Sequence, residues 1–167
     1  MTWLRKLYTL SGALSGLFMV LICLLVLAQI VARLLDTLVP SSDEFAGYAM
    51  AASGFLGLPY ALQRGAHIRV GLMFKVLPSR GRRVMEVFSS LLALLVSGYL
   101  AWYCVAFALE SYEFGEVSSG MLPVPMWIPQ AAMALGTVIL AIAMLDRLIC
   151  MLRDQPFEVE SEAVMGE

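Results

Sequence analysis

The chain has 167 residues, of which 60% are hydrophobic and only 14% are charged, with a formal net charge of −2 at pH 7. A soluble domain would be about half apolar, with about a quarter of its residues charged. The composition therefore excludes an ordinary soluble domain, and it gives no indication of nucleic acid as a partner.

The apolar residues are concentrated in four uncharged runs of 26, 19, 23 and 29 residues, at positions 7–32, 45–63, 87–109 and 117–145. Roughly 20 mostly apolar residues are needed to cross the hydrocarbon core of a bilayer as a helix. Because that core holds no water, the backbone groups must bond within their own segment, which requires helices. The sequence thus predicts an all-α integral membrane protein, with four transmembrane helices in one domain of residues 1–153. We place the helices at about 7–35, 44–64, 84–112 and 125–149, followed by an acidic tail at 154–167.

The basic residues are partitioned between the predicted connections. They lie before the first helix, between the second and third, and after the fourth, whereas the other two connections are acidic. An excess of lysine and arginine marks cytoplasmic segments, so we predict that both termini are cytoplasmic. Arg33 is the exception to the pattern. The basic residues that fit the pattern are Arg5, Lys6, Arg64, Arg69, Lys75, Arg80, Arg82, Arg83, Arg147 and Arg153.

The first predicted helix ends with two polar residues, Gln29 and Arg33, which lie one turn apart on one face. A charged side chain near the end of a span costs less than one at mid-membrane, because it can reach the headgroups. Two interpretations remain open. Either Arg33 reaches the headgroups or pairs with Asp36, or Gln29 and Arg33 both bond to a partner helix.

Small residues recur at every fourth position in the second and third predicted helices. Lipid tails are as apolar as leucine, so helices in a bilayer associate by close approach, which small side chains permit. We interpret the two stripes as packing surfaces, between helices two and three or against another subunit. They consist of Ala49, Ser53, Gly57 and Ala61, and of Ser89, Ala93, Ser97 and Ala101.

The connection before the fourth helix is acidic and then rich in proline. Three acids spaced by three share one face if the third helix continues outward. This acidic ridge is either solvated surface or a docking surface for an external protein. Three prolines within seven residues forbid a regular helix before about Pro125, so Pro125 or Pro129 occupies a first-turn position, and Trp127 fits the aromatic belt. The acidic ridge consists of Glu110, Glu113 and Glu116.

The sequence offers little for catalysis or for a bound metal or cofactor. His67 is the single histidine, and one histidine cannot supply a bis-His haem site. No cluster of cysteine, histidine and acid has the spacing of a zinc site. The predicted helix interiors also lack the ionisable groups of a protein that carries charged cargo alone. We therefore predict no catalytic, metal or cofactor site and no enzyme activity, and interpret the chain as an accessory membrane subunit.

The segment around His67 is apolar and basic together. We predict a short amphipathic helix at about residues 66–77, which lies in the cytoplasmic interface with Arg69 and Lys75 toward lipid phosphates. Membrane lipids are thus expected partners. His67 then lies at the corner after the second helix, where its ring nitrogens bond to loop backbone or a headgroup in a structural role.

Motifs spread over most of the chain resemble those of one family. They are an acid that opens helix two, a Phe-Leu-Gly step, a Gly-Ala-His-Ile-Arg-Val-Gly-Leu segment followed by Leu-Pro, and a Pro-Met-Trp entry to helix four. Their residues are Glu44, Phe55, Leu56, Gly57, Gly65, His67, Ile68, Arg69, Val70, Leu72, Leu77, Pro78, Gly120, Pro125, Met126 and Trp127. With them the chain resembles the small membrane subunit of tripartite ATP-independent periplasmic (TRAP) transporters, the dicarboxylate-type Q subunit. Gly71 departs from the family, which often has aspartate there.

The resemblance implies four transmembrane helices with both termini inside, in the inner membrane of a bacterium or archaeon. It also implies two partners: a large multi-helix membrane subunit with the substrate and sodium sites, and a periplasmic binding protein that delivers an organic acid. The small subunit would brace the large one and add docking surface. Two alternatives remain, a membrane-anchor or electron-transfer subunit of an enzyme complex and an autonomous small transporter.

Overall fold

The computed structural model describes residues 2–64 and 79–153, and the structural statements below concern these residues. The interfacial helix expected at 66–77 and the acidic tail at 154–167 lie outside the described residues. The same holds for the motif residues between α2 and α3, which are Gly65, His67, Ile68, Arg69, Val70, Leu72, Leu77 and Pro78.

The described residues form four α-helices and no strand, so the prediction of an all-α membrane protein is confirmed. Each helix is long and apolar enough to cross a bilayer. The longest has 35 residues, or about 52 Å at a rise of 1.5 Å per residue, and so extends beyond a hydrocarbon core about 30 Å thick. The helices are α1 (Thr2–Leu34), α2 (Ser42–Gln63), α3 (Ser79–Glu113) and α4 (Trp127–Leu152).

The helices stand in a row, in the order α1–α2–α4–α3. α2 packs along α1 on one side and along α4 on the other, α3 packs along α4, and α1 meets α4 at only a few residues. Over the two described segments, α2 and α3 do not pack along each other, so the expected interface between helices two and three is wrong for this chain. The physical reason is that α4 lies between α2 and α3 and packs along both of them.

α2 and α4 approach closely at a proline inside α2. Pro59 has no N–H, so it cannot bond to the carbonyl of Phe55 four residues earlier. Gly136 of α4 lies against that carbonyl group, and a Cβ on Gly136 would lie 2.6 Å from the carbonyl carbon and 2.7 Å from its oxygen. Only a residue without a side chain allows this approach, which explains why a glycine occurs in the middle of α4.

The buried core lies toward the end of the helix axes at which the first and the last described residues are found. Its members come from α1, α2 and α4, and residues of α3 pack against it. We call this end the basic end, and the opposite end, with connections 35–41 and 114–126, the acidic end. In a bilayer, close packing of such residues holds the helices together, since burial away from lipid brings no hydrophobic gain. The core residues are Tyr8, Leu62, Leu140, Ala143 and Met144.

α1 and α3 form the two edges of the row, and both expose large apolar side chains. In the most apolar window of α1 no residue is fully buried within the chain, and in that of α3 only 11% of the residues are. α3 exposes an aromatic patch, in which the rings of Tyr99 and Tyr103 lie 4.6 Å apart beside Trp102, which is 74% exposed. These surfaces face lipid or another membrane chain.

Candidate functional site

The α1–α2 interface is held by serine hydroxyls that bond to carbonyls of the facing helix. Ser11 Oγ donates to the Leu56 carbonyl at 2.5 Å. Ser15 Oγ donates to the Ser53 carbonyl at 2.7 Å, and Ser53 Oγ donates to the Ser15 carbonyl at 2.9 Å. Interhelical bonds in membrane proteins contribute about 0.6 kcal/mol each on average, so the group stabilises the pair and sets its register.

The stripe of small residues in α2 is used within this chain. Ala49 and Ser53 are 3% and 6% exposed, and Ala61 is half-buried. A Cβ on Gly57 would lie 2.9 Å from Ser15 Oγ, so the glycine allows the serine to approach. Ser53 and Gly57 therefore pack against α1 of the same chain, while packing of this stripe against another subunit stays a prediction.

The stripe of small residues in α3 divides into two parts. Ser97 and Ala101 are 5% and 7% exposed, and Ala93 packs against the buried core, so these three face into the row. Ser89 is exposed, and its hydroxyl donates to the Glu86 carbonyl at 3.0 Å. Only this last position remains on the outer surface of the helix.

Gln29 ties the end of α1 to the start of α2. Its Nε2 donates to Ser42 Oγ at 2.7 Å and to Asp43 Oδ1 at 2.6 Å. The partner helix of Gln29 is thus α2 of the same chain. Arg33, one turn later, is exposed, and its guanidinium forms no ion pair with Asp36 or with any other residue that the structure describes.

The α3–α4 connection forms a short hairpin at the acidic end. Ser118 N donates to the Val124 carbonyl and Met126 N donates to the Glu116 carbonyl, both at 2.9 Å. We call residues 116–126 the connecting hairpin. These two bonds satisfy backbone groups that a loop of this length would otherwise leave to water, and they give the segment a defined shape.

The connecting hairpin rests on the start of α2. Ser118 Oγ donates to Glu44 Oε2 at 3.2 Å. Gly120 lies directly over the same carboxylate, and a Cβ there would overlap both of its oxygens. Leu122 N donates to Ser41 Oγ at 2.9 Å. Glu44 and Gly120, which the family resemblance names as separate motifs, therefore meet in one contact.

The acidic ridge is not one continuous helical face. α3 ends at Glu113, and Gly115 takes a positive φ of 63°, so Glu116 lies beyond the helix. The Glu116 carboxylate accepts a bond from Ser111 Oγ at 2.6 Å. The expectation that three acids share a helix face is corrected accordingly. Glu110 and Glu113 are exposed on the last turn, and Glu116 is folded back on it.

The start of α4 follows the proline pattern. The helix begins at Trp127, so Pro129 occupies the first turn, where its missing N–H costs no intrahelical bond. Pro125 precedes the helix and pairs with Val117 across the connecting hairpin. The ring of Trp127 meets that of Tyr112 edge-on, with centroids 5.7 Å apart, which joins the start of α4 to the end of α3.

Sequence reasoning missed a polar contact at the basic end. Tyr8 is 1% exposed, and its hydroxyl donates to Asp146 Oδ2 at 3.4 Å, while Cys150 Sγ lies 3.9 Å from Oδ1. Asp146 marks the end of the fourth uncharged run, but no pattern placed it beside a residue 138 positions earlier. Over residues 2–64 and 79–153, no group of three histidine, cysteine or acidic residues could hold a metal ion.

Comparison with known proteins gives two matches. Residues 22–154, which include the second part of α1 and all of α2, α3 and α4, match the family described as tripartite ATP-independent periplasmic transporters, DctQ component. The chain is 31% identical over 112 residues to the ectoine TRAP transporter small permease protein TeaB of Halomonas elongata. That alignment covers 67% of this chain and 58% of the relative, less than two thirds of the relative's length. The chain therefore belongs to the DctQ family and is a small membrane subunit of a TRAP transporter, a multi-pass protein of the inner membrane.

Proposed function

We propose that this chain is the accessory and scaffold subunit of a TRAP-type secondary transporter, which takes up an organic acid with a periplasmic binding protein and a sodium gradient. The observation that supports the scaffold role is that the polar groups between the helices form hydrogen bonds within this chain. Ser11, Ser15 and Gln29 all bond to another helix of the same chain. These groups hold α1 against α2, so they are not available to bind a charged solute. The family excludes the alternative of an enzyme anchor.

The large multi-helix subunit is the proposed membrane partner. A single row of helices has two broad faces, and its edge helices α1 and α3 leave most of their apolar side chains uncovered. The large subunit would cover one face and lipid the other. Arg33 and Ser89 remain candidate contacts with it, because both are exposed on these edge helices.

The proposed orientation puts the basic end in the cytoplasm and the acidic end in the periplasm. Arg5, Lys6, Arg64, Arg147 and Arg153 lie at the basic end, and cytoplasmic ends of membrane proteins carry such an excess. The acidic ridge and the connecting hairpin would then meet the binding protein. Residues 66–77 would lie in the cytoplasmic interface, as the amphipathic pattern predicts.

Copurification tests this proposal. A tagged large TRAP subunit of the same organism, coexpressed with this chain, should retain it in mild detergent in constant ratio. Loss of the chain during purification would contradict the scaffold role. Reconstitution of the chain alone serves as the control, and uptake of an organic acid by those vesicles would favour an autonomous transporter instead.

A further inference from the structure

The contact between Glu44 and the connecting hairpin is not needed to hold the helices together. α2 and α4 already meet at Phe55 and Gly136, and again in the buried core. Both contacts lie about three turns or more from Glu44 along α2. The bonds at the acidic end therefore hold the hairpin in place, not the helix pair.

The start of α2 carries this attachment. Glu44 and Tyr48 are four residues apart and share a helix face, and Ser41 is the N-cap residue that precedes the helix. Ser41 Oγ accepts from the Leu122 amide at 2.9 Å, and Tyr48 OH donates to Met126 Sδ at 3.7 Å. The hairpin is thus bound at both of its sides, with Glu44 between them.

Among the residues of α2 and its N-cap that bind the hairpin, Glu44 is the one that a neutral residue replaces least well, because its carboxylate is charged. Ser118 Oγ has one proton, and its two acceptors are the Glu44 carboxylate at 3.2 Å and the Leu122 carbonyl at 3.3 Å. A charged acceptor forms the stronger bond, so the carboxylate sets the direction of this hydroxyl. The same hydroxyl oxygen accepts from Val124 N at 3.4 Å, within the hairpin itself. Gly120 then covers the carboxylate, since any side chain there would overlap it.

We propose that Glu44 is a positioning residue, whose carboxylate fixes the connecting hairpin on α2 and so sets the surface that the periplasmic binding protein meets. The inference rests on the proposed function for the partner, and on the contacts above for the attachment. The hairpin follows directly on the exposed acids Glu110 and Glu113, and the Tyr112–Trp127 ring contact joins them. A displaced hairpin would therefore alter the docking surface without changing the membrane-embedded helices.

Hydrogen exchange of the purified full chain tests the attachment without any partner. Glu44→Ala should speed exchange of the hairpin amides about fivefold, the factor expected for a net loss of one hydrogen bond. Glu44→Gln keeps an acceptor without the charge, so its exchange should lie between those of the wild type and Glu44→Ala. Gly120→Ala should also speed exchange, but much less when Glu44 is already alanine, because the overlap is then gone. Asp36→Asn removes an exposed carboxylate at the same end and is the matched control. Unchanged exchange in Glu44→Ala would overturn the proposal.

Uptake by the reconstituted complex, titrated with loaded binding protein, tests the positioning role. Glu44→Ala should raise the half-saturating concentration of binding protein about fivefold and keep the maximal rate within about twofold, since it alters docking and not transport itself. Glu44→Gln should lie between Glu44→Ala and the wild type, and Asp36→Asn should behave as the wild type. Faster exchange with an unchanged half-saturating concentration would overturn the positioning role. Failure of the wild-type complex to depend on binding protein would overturn the proposed function itself, while the exchange result still reports on the attachment.

Discussion

Replacing Gly136 by alanine should push α2 and α4 apart. The new Cβ would lie 2.6 Å from the carbonyl carbon of Phe55, whereas ordinary contacts begin at 3.4 Å, so the shortfall is 3.4 − 2.6 = 0.8 Å. The obstacle is backbone, and a helix backbone cannot rotate away as a flexible side chain can. The helices must separate by a comparable distance, which disturbs the packing on both sides of Pro59.

The cost follows from what overpacking does in other proteins. Inserting a methyl group into a well-packed interior costs about 1–3 kcal/mol, and the better helix propensity of alanine returns up to about 1 kcal/mol. We therefore expect the free energy of unfolding to fall by about 1–2 kcal/mol. Gly54→Ala is the matched control, because it makes the same change in α2 where nothing lies within 4 Å of the new Cβ.

Unfolding in mixed micelles, titrated with sodium dodecyl sulfate and followed by circular dichroism, measures this difference. Gly136→Ala should unfold at a lower detergent fraction than the wild type, and Gly54→Ala at the same fraction or a higher one. If Gly136→Ala were as stable as Gly54→Ala, the close approach of α4 to the free carbonyl of α2 would be refuted as a constraint on this position.

Other predictions concern the α1–α2 pair and the acidic end. Gln29→Leu removes two hydrogen bonds to the start of α2 and should lower the free energy of unfolding by about 1–2 kcal/mol in the same titration; stability equal to the wild type would show that water replaces them. Gly57→Leu places a bulky side chain against Ser15 and should reduce recovery of the assembled complex, and an undiminished yield would count against the role of the stripe. Reversing the acidic ridge to lysine should raise the half-saturating concentration of binding protein most at low salt, because exposed charges are screened at high salt. If that concentration is the same at every salt level, the ridge is only solvated surface.

The four membrane-spanning helices followed from the uncharged runs of the sequence alone. Lipid offers no hydrogen-bond partner, so an uncharged run of about 20 residues or more has one stable conformation there. The motifs of the family could be recognised in the same way, since Glu44, Gly120 and the Pro-Met-Trp entry are local features of the chain. The start of α4 near Pro125 also followed, because proline restricts the backbone locally.

Which helices touch was decided only by the tertiary structure. A stripe of small residues shows that a helix packs closely, but it does not say against what, and every apolar face looks alike when the solvent is lipid. The contact of the α2 stripe with α1 was therefore not predicted, and the row α1–α2–α4–α3 could not be foreseen. The contact of Glu44 with Gly120 could not be predicted either, because local patterns do not show which distant residues meet and these two are 76 positions apart. Local patterns determined that each segment is a helix, whereas complementary shapes at distant positions decided how the helices and the connecting hairpin fit together.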